Sequence, residues 1–474
     1  MAKKSTEKSV FNDKNLSQIY KEIQHVYLSY SFPWVIGFSG GKDSTATLQL
    51  IWNALLLLEP EQRTNPIYVI SSDTLVETPV IVNYIDQILD QINQKAKEIG
   101  LNISAHKLKP QLQDTFWVNL LGKGYPAPNN AFRWCTDRMK IKPSNKFILE
   151  KVAEYGEVIL ALGMRRNESN SRNRVIDNHE IEGYKLSRHG QLRGAWVFMP
   201  IEEFTTDDVW SYLLSQPFSP WGSNNRNLAS MYRSAQSGEC PLVVDDTTVS
   251  CGNSRFGCWT CTVVARDKSM EAMIDSGEDW MTPLLEFRDW LSSTQNPEVK
   301  HLQREFKSRD GKIKVNEGGD LKYRTYTLDF SRQMLVRLLK TQNAVQLNDS
   351  TFELISVAEL NEIRRIWISE RQDWEDTLPE IYYSNTGKSL PTEFSDVFIP
   401  GGTELQILHN VTDRHNVPLK LVQKLLNAEW QNYGMYRRSS IHNMVEKIFD
   451  EDWRTLDEVR SEIQNKKQEI KNDN

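Results

Sequence analysis

The chain has 474 residues and a net charge of −6, from 57 Lys plus Arg against 63 Asp plus Glu. That length calls for two or three domains, and the acidic balance excludes a protein that coats nucleic acid through net charge alone, so a polyanion has to be met by local clusters. The N-terminal residues lack the apolar core of a signal peptide and the longest apolar run, Ala54 to Leu58, is too short to cross a bilayer, so a cytoplasmic protein with no membrane partner is expected.

Apolar, β-branched runs at Trp34 to Phe38, Ile67 to Ser71, Ile103 to Leu108 and Val158 to Leu162 alternate with helical stretches such as Thr78 to Ile99. This is the pattern of a parallel α/β sheet, whose ligands sit at the carboxyl ends of the strands. The first run ends in Ser39-Gly40-Gly41-Lys42-Asp43-Ser44, and an apolar-periodic segment follows. Two glycines let the backbone turn tightly around an anion, and the helix opening near Ser44 points its positive end at the same place, so a nucleotide phosphate is the expected ligand.

After the second run, Asp73 at the strand end suits a metal ion or the nucleotide, or else serves as a carboxylate beside a helix N-terminus opened by Pro79. After the fourth run, Arg165, Arg166 and Arg172 offer guanidinium groups for phosphate, or form a solvated loop. Between Arg133 and Lys146 five cations face one carboxylate, Asp137, and between Gly163 and Gly194 seven cations face four, so the acidic average hides a basic rim. Tyr436-Arg437-Arg438 near His442 forms a second basic cluster in the helical end.

Five cysteines in a reducing compartment point to metal or reactive sulfur rather than disulfides. Cys240, Cys251, Cys258 and Cys261 are separated by ten, six and two residues. Four thiolates in one Gly- and Ser-rich segment accept either tetrahedral zinc or a 4Fe-4S cluster. Cys135 stands apart among Arg133, Arg138, Lys140 and Lys142, which would lower its pKa and favour a thiolate able to carry a persulfide; the plainer reading is a small residue packed near the nucleotide. Beyond Met270 the pattern is helical, with periodic stretches at Pro283 to Leu291, Ser331 to Leu339 and Val357 to Glu375. The expected layout is an ATP-binding domain at 1–222, a four-cysteine module at 223–270, a helical domain at 271–464 and a frayed tail at 465–474.

The S-G-G-K-D-S loop resembles the PP-loop of ATP pyrophosphatases. Together with Asp73-Thr74 and Glu77-Thr78, Arg133-Trp134-Cys135-Thr136 to Lys140, Gly163-Met164-Arg165-Arg166-Asn167-Glu168-Ser169 with Arg172, and Pro200-Ile201 through Thr206-Asp207-Asp208-Val209-Trp210 with Tyr212, it makes the first half of the chain resemble the phosphoadenylyl-sulfate reductase branch of that superfamily. The resemblance implies that Ser39, Gly40, Gly41, Lys42, Asp43 and Ser44 hold nucleotide phosphates, with Asp73, Arg165 and Arg172 beside them. The catalytic C-terminal Glu-Cys-Gly motif of the sulfate reductases has no counterpart, since no cysteine follows Cys261.

With its four cysteines and a long helical part, the chain is similar to the DndC-type sulfurtransferases of bacterial DNA phosphorothioation systems. That resemblance implies a 4Fe-4S cluster on Cys240, Cys251, Cys258 and Cys261, with Zn2+ as the alternative, and cleavage of ATP to AMP and pyrophosphate beside Mg2+ near Asp43 or Asp73. It implies replacement of a non-bridging oxygen of the DNA backbone phosphate by sulfur, with Lys42 and Asp43 at the phosphates and Cys135 carrying sulfur from a cysteine desulfurase. Other subunits of the modification complex are the expected partners. A sulfonucleotide (adenylyl sulfate) reductase and a non-catalytic ATP-binding subunit are the alternative readings, and a transfer-RNA thiolase would require an RNA-binding module that the sequence does not display.

Overall fold

The alternating apolar runs assemble into one six-stranded sheet of order β3-β2-β1-β4-β6-β5. Trp34–Gly37 (β1), Ile67–Ser72 (β2), Ile103–Leu108 (β3) and Val158–Ala161 (β4) are parallel, as is Ala195–Phe198 (β6), and the two-residue Ser187–Arg188 (β5) closes one edge antiparallel. The structure is a computed structural model that describes residues 8–166, 185–235, 257–391, 400–433 and 439–472.

Side-chain alternation along β1 decides its two faces. Trp34 and Ile36 join the larger core, with Ile23 of the helix Leu16–Ser29 (α1), Leu48, Ile51 and Trp52 of the helix Lys42–Leu56 (α2) and Ile88 and Ile92 of the helix Pro79–Glu98 (α3). Val35 points the other way, to Ile70, Leu160 and Ile148, under the helix Lys142–Tyr155. Both faces are covered, as a parallel sheet requires. Ile36, Leu48 and Ile51 are fully buried, each worth roughly 1.5–3 kcal/mol of transfer free energy. Because β1 lies between β2 and β4, the chain leaves its two ends in opposite directions, opening a crevice beyond Gly37 and Ala161.

The Thr205 to Trp210 stretch has a structural explanation. Thr205 caps the helix Thr206–Ser215 by accepting from Asp208 N at 3.0 Å on its hydroxyl, and the Asp208 carboxylate in turn accepts from Thr205 N at 2.9 Å. The same carboxylate receives Ser9 Oγ at 2.5 Å and Val10 N at 3.1 Å, tying the N-terminal segment to the sheet domain.

By internal contacts the chain forms two compact units: Met1–Gln111 with Asn129–Leu285, and Leu112–Pro128 with Glu286–Asn474. The sequence displays no sign that a short segment ahead of Asn129 belongs with the C-terminal helices. The reason is local. The π-helical turn Val118–Gly122 buries Val118, Leu120 and Leu121 completely, and such a wide turn leaves carbonyls short of helical partners. Leu121 O accepts from Trp367 Nε1 at 2.8 Å and Arg371 Nη1 at 3.1 Å, while Arg371 Nη2 donates to Tyr326 O at 2.6 Å. Helices Leu328–Gln346 and Val357–Arg371 supply the rest of this core, including Leu335, Leu338, Ile363 and Ile366.

Three elements differ from expectation. A helix, Asn225–Ala235, opens the segment expected to be loop-rich, the periodic run past Val357 ends at Arg371, and a final helix, Leu456–Asn472, continues through most of the expected frayed tail. No helix among the described residues is long and apolar enough to cross a membrane.

Asp208→Ala leaves three donors without their carboxylate, two of them backbone N–H groups of Val10 and Thr205. A loss of about 2–4 kcal/mol is expected in urea unfolding, whereas Asp207→Ala should stay within about 0.5 kcal/mol because nothing comparable depends on it.

Candidate active site

The crevice at the carboxyl ends of β1, β2 and β4 holds a cavity of about 290 Å³, lined by Gly37, Ser39, Ser72, Asp73 and Lys140 among others. The loop after β1 contributes Phe38 and Ser39 to its lining. Gly40 has φ +71°, and a Cβ there would come within 2.3 Å of Ile85 Cδ1, so the turn requires glycine. Ser44 Oγ donates to Gly41 O at 3.0 Å and accepts from Ser39 N at 3.2 Å, which fixes the loop against the first turn of α2. The helix α2 opens at this loop, which puts the positive end of its dipole there.

Gly163 brings the loop after β4 against this turn; a Cβ on it would lie 2.9 Å from Asp43 C and O. Here the structure settles what Asp43 and Arg165 do to one another. Arg165 is buried, and its Nε donates to Asp43 Oδ1 at 2.8 Å, while Lys42 Nζ donates to Asp43 Oδ2 at 3.0 Å. Burial opposes ionisation of Asp43, but Lys42 and Arg165 outweigh it, so the carboxyl titrates below its usual range. Arg166 is held by Glu202 at 2.6 Å. Arg165 thus reaches the phosphate loop through Asp43, and Arg172 lies outside the described residues.

One residue at the loop carried no sequence signal. Tyr232, on the helix Asn225–Ala235, accepts Lys42 N–H on its hydroxyl at 3.2 Å, and its ring lies 5.6 Å from Lys42 Nζ and edge-on to Trp210. A nucleotide phosphate oxygen would compete for that N–H. Lys107, at the end of β3, is the other addition: it pairs with Asp73 at 3.3 Å and Asp86 at 2.7 Å. The rule that ligands gather at strand ends could have found it.

Asp73 also builds its own loop. Its Oδ1 accepts Leu75 N at 2.9 Å, holding Leu75 at φ 63°, a conformation costly for a branched side chain. The strained turn delivers residues 74–77 to the cysteines. Thr74 Oγ1 meets Cys258 Sγ at 3.2 Å, Trp259 N donates to Val76 O at 2.9 Å, and Glu77 pairs with Cys258 in an antiparallel bridge. The rim of the nucleotide crevice and the Cys258-Trp259-Thr260-Cys261 turn are therefore one backbone seam.

Cys135 belongs to the same neighbourhood rather than standing apart. It lies in the short turn Trp134–Thr136, close enough to Cys261 to feel its charge, and Lys140 is near Cys258, Glu77, Cys135 and Cys261 together. The expectation that cations depress the Cys135 pKa is corrected: burial pushes it up, with Cys261 adding, and Arg133 compensates only in part. Burial likewise pushes the Cys258 thiol up to about 12, against the pull of Lys140, and lifts the Glu77 carboxyl above its usual range. For Lys140 burial disfavours the charged ammonium, yet Cys258, Glu77 and the other two cysteines outweigh it and raise its pKa.

Cys240 and Cys251 lie outside the described residues, and among the described residues no three His, Cys, Asp or Glu side chains come together as metal ligands. Cys258 and Cys261 adopt a turn in which Cys261 N bonds to Cys258 O at 3.0 Å, a geometry in keeping with a C-x-x-C pair.

Residues 33–264 match the Phosphoadenosine phosphosulfate reductase domain family. The chain is 26% identical over 194 residues to the uncharacterized protein MJ0066 of Methanocaldococcus jannaschii, a match covering 41% of this chain and 34% of that protein. The chain thus spans about a third of the length of the curated relative it matches. Among solved structures it is similar to the phosphoadenylyl-sulfate (PAPS) reductase of Candida auris in a phosphate complex, at 14% identity and a TM-score of 0.27 over 46% of this chain and 91% of that one. It is also similar to the FMN adenylyltransferase of Candida glabrata bound to FAD and inorganic pyrophosphate, at 12% identity and a TM-score of 0.27 over 46% of this chain and 62% of that one.

Asp43→Asn leaves Arg165 buried without its countercharge, and the sheet domain should lose about 3–5 kcal/mol in denaturant unfolding. Because the folded pKa of Asp43 is depressed, its contribution is complete above the unfolded carboxylate pKa of about 3.9 and is lost as pH falls through the folded value. The variant should accordingly lose part of the wild type's stability decline on acidification through that window.

Tyr232→Phe keeps the ring against Trp210 and removes the acceptor of Lys42 N–H. ATP affinity, measured by calorimetry, should rise by about two- to tenfold, the equivalent of one hydrogen bond of about 0.5–1.5 kcal/mol.

Proposed function

We propose that this chain is an ATP-dependent sulfurtransferase that replaces a non-bridging oxygen of a DNA backbone phosphate with sulfur, by adenylation with release of pyrophosphate. Its PAPS reductase family domain supports nucleotide-dependent, sulfonucleotide-related chemistry. The observation that carries the finer reading is the seam between Thr74–Glu77 and Cys258–Trp259, which sets thiols at the rim of the phosphate crevice.

The chemistry follows from that adjacency. Lys42 and the N–H groups opening α2 stabilise charge on the ATP phosphates as the DNA phosphate oxygen attacks the α-phosphorus and pyrophosphate leaves. Asp43, tied to Arg165, holds Lys42 at the loop. A persulfide on Cys135, delivered by a cysteine desulfurase, then attacks the DNA phosphorus and displaces AMP. A thiol co-substrate cleaves the S–S bond, leaving sulfur on phosphorus and a mixed disulfide on Cys135. Mg2+ beside Asp43 or Asp73 would neutralise the leaving pyrophosphate.

Cys240, Cys251, Cys258 and Cys261 would hold a 4Fe-4S cluster, or Zn2+ as the alternative, and with four protein ligands such a centre supplies scaffolding or redox sensing. The described pair, Cys258 and Cys261, suits it: they share one tight turn, and the Cys258 thiol, whose pKa burial raises, becomes a good ligand once a metal takes the proton's place. Other subunits of a DNA modification complex are the partners this reading implies. The second reading, a sulfonucleotide reductase acting on adenylyl sulfate, is favoured by the family match itself.

Pyrophosphate release from ATP with DNA, by anaerobically purified protein, separates the readings. The expected result is release that falls about 10²- to 10³-fold in Lys42→Ala, with broad visible absorption from a cluster and loss of DNA sulfur incorporation in Cys135→Ser. Full incorporation by Cys135→Ser overturns the carrier role. Thiol-dependent turnover of adenylyl sulfate without pyrophosphate release selects the reductase, and nucleotide binding with neither reaction selects a non-catalytic ATP-binding subunit.

A further inference from the structure

Within the C-terminal unit, residues 303–327 form a branched β-ribbon. Its stem is closed by Glu305 N to Thr325 O at 2.7 Å and Arg324 N to Glu305 O at 3.0 Å. One branch closes at Ser308 N to Lys312 O and the other at Asn316 N to Asp320 O, both 2.9 Å. In the second branch Val315 bridges Leu321, and Lys322 N donates to Lys314 O at 2.9 Å, so Lys314 and Lys322 stand directly opposite each other.

Period-2 alternation adds Lys312 to the face of Lys314 and Arg324 to the face of Lys322. All four side chains are exposed. The opposite face carries the half-buried Ile313, Leu321 and Tyr323, with Tyr323 packed near His301 and accepting from Arg460 at 3.3 Å. One side of the ribbon is therefore anchored, and the other presents cations to solvent.

These cations are poorly compensated. Among the described residues no carboxylate lies within salt-bridge distance of Lys312, Lys322 or Arg324, and Lys314 reaches Asp310 only at 3.7 Å, both half-exposed. Asp320, the one acid on that face of the second branch, sits at the far turn and accepts from Asn316 at 3.4 Å. The nearby Glu451 and Asp452 are taken by Lys424 and Arg454. Like charges directly opposite on a β-ribbon destabilise it, so the sequence maintains an arrangement that costs stability in the free protein.

We propose that this face binds the phosphate backbone of duplex DNA. Cations two residues apart on one strand are about 6.8 Å apart, and a strand of DNA offers a phosphate about every 3.4 Å of rise, so each pair can meet separate phosphates. The contact is to the backbone and carries no base readout. The choice of DNA over other nucleic acids rests on the sulfurtransferase reading; the requirement for a closely repeated polyanion rests on the ribbon alone.

The test is fluorescence anisotropy of a short labelled duplex with the full chain, over a salt series. The quadruple variant Lys312→Gln, Lys314→Gln, Lys322→Gln, Arg324→Gln should bind at least tenfold more weakly, and its salt slope should drop by about 3.6 if each side chain meets one phosphate. Its thermal midpoint should equal or exceed that of the wild type, because repulsion has been removed, and its ATP affinity should be unchanged. Lys388→Gln, an exposed cation elsewhere in the unit, should leave duplex binding as it was. Unchanged affinity and slope in the quadruple variant overturns the proposal. So does equal wild-type binding to poly-glutamate, which would make the face a site for acidic protein, or tighter binding to single-stranded RNA of the same length. Duplex binding that depends on the ribbon, in a protein that releases no pyrophosphate, would sink the sulfurtransferase reading and leave this one standing.

Discussion

The close approach of the loop after β4 to the first turn of α2 is the constraint on which the candidate phosphate site depends. With no side chain on Gly163, the backbone of Asp43 and Ser44 packs against it, and Arg165 two residues on is delivered, buried, to the Asp43 carboxylate. Asp43 then holds Lys42 at the N-terminus of α2. A buried guanidinium without that carboxylate would be intolerable. The acid is therefore first an organiser of cations and only through them a partner of phosphate.

That ordering changes how the motif residues divide their labour. Asp208, within the matched residues 33–264, caps a helix and pins the N-terminal segment. Asp73 spends one oxygen on forcing Leu75 into a left-handed turn and the other on Lys107. Strain at such a position persists only when the surroundings over-determine it, and here the reward is the seam to Cys258 and Trp259. Tyr232 adds a coupling: its helix, Asn225–Ala235, reaches the loop after β1 through Lys42 N–H and precedes Cys240 in sequence.

The parallel sheet was legible because four β-branched runs and a Gly-Gly turn obey strong local rules, and the observed strands agree with those runs to within a residue at each end. What stayed hidden was set by long-range contact. No spacing links Cys135 to Cys261 across more than a hundred residues, and charge counting around Cys135 pointed the wrong way because burial outweighs neighbouring cations. The transfer of Leu112–Pro128 to the C-terminal unit depends on carbonyls that a π-helical turn leaves open for Trp367 and Arg371. Composition does not record such a debt.

Charge shows the same division between local and global information. The net value of −6 excludes coating by bulk attraction, yet it says nothing about register. The cations between Lys312 and Arg324 are interleaved with Glu317 and Asp320, so a sliding count finds little there. Pairing Val315 with Leu321 sorts them: the two lysines come face to face and the acids go to the turn. A fold with no use for that repulsion would relieve it with a single glutamate opposite either lysine. Its presence in an otherwise acidic chain bears on what the ribbon meets in solution, and it is independent of whatever binds at the loop after β1.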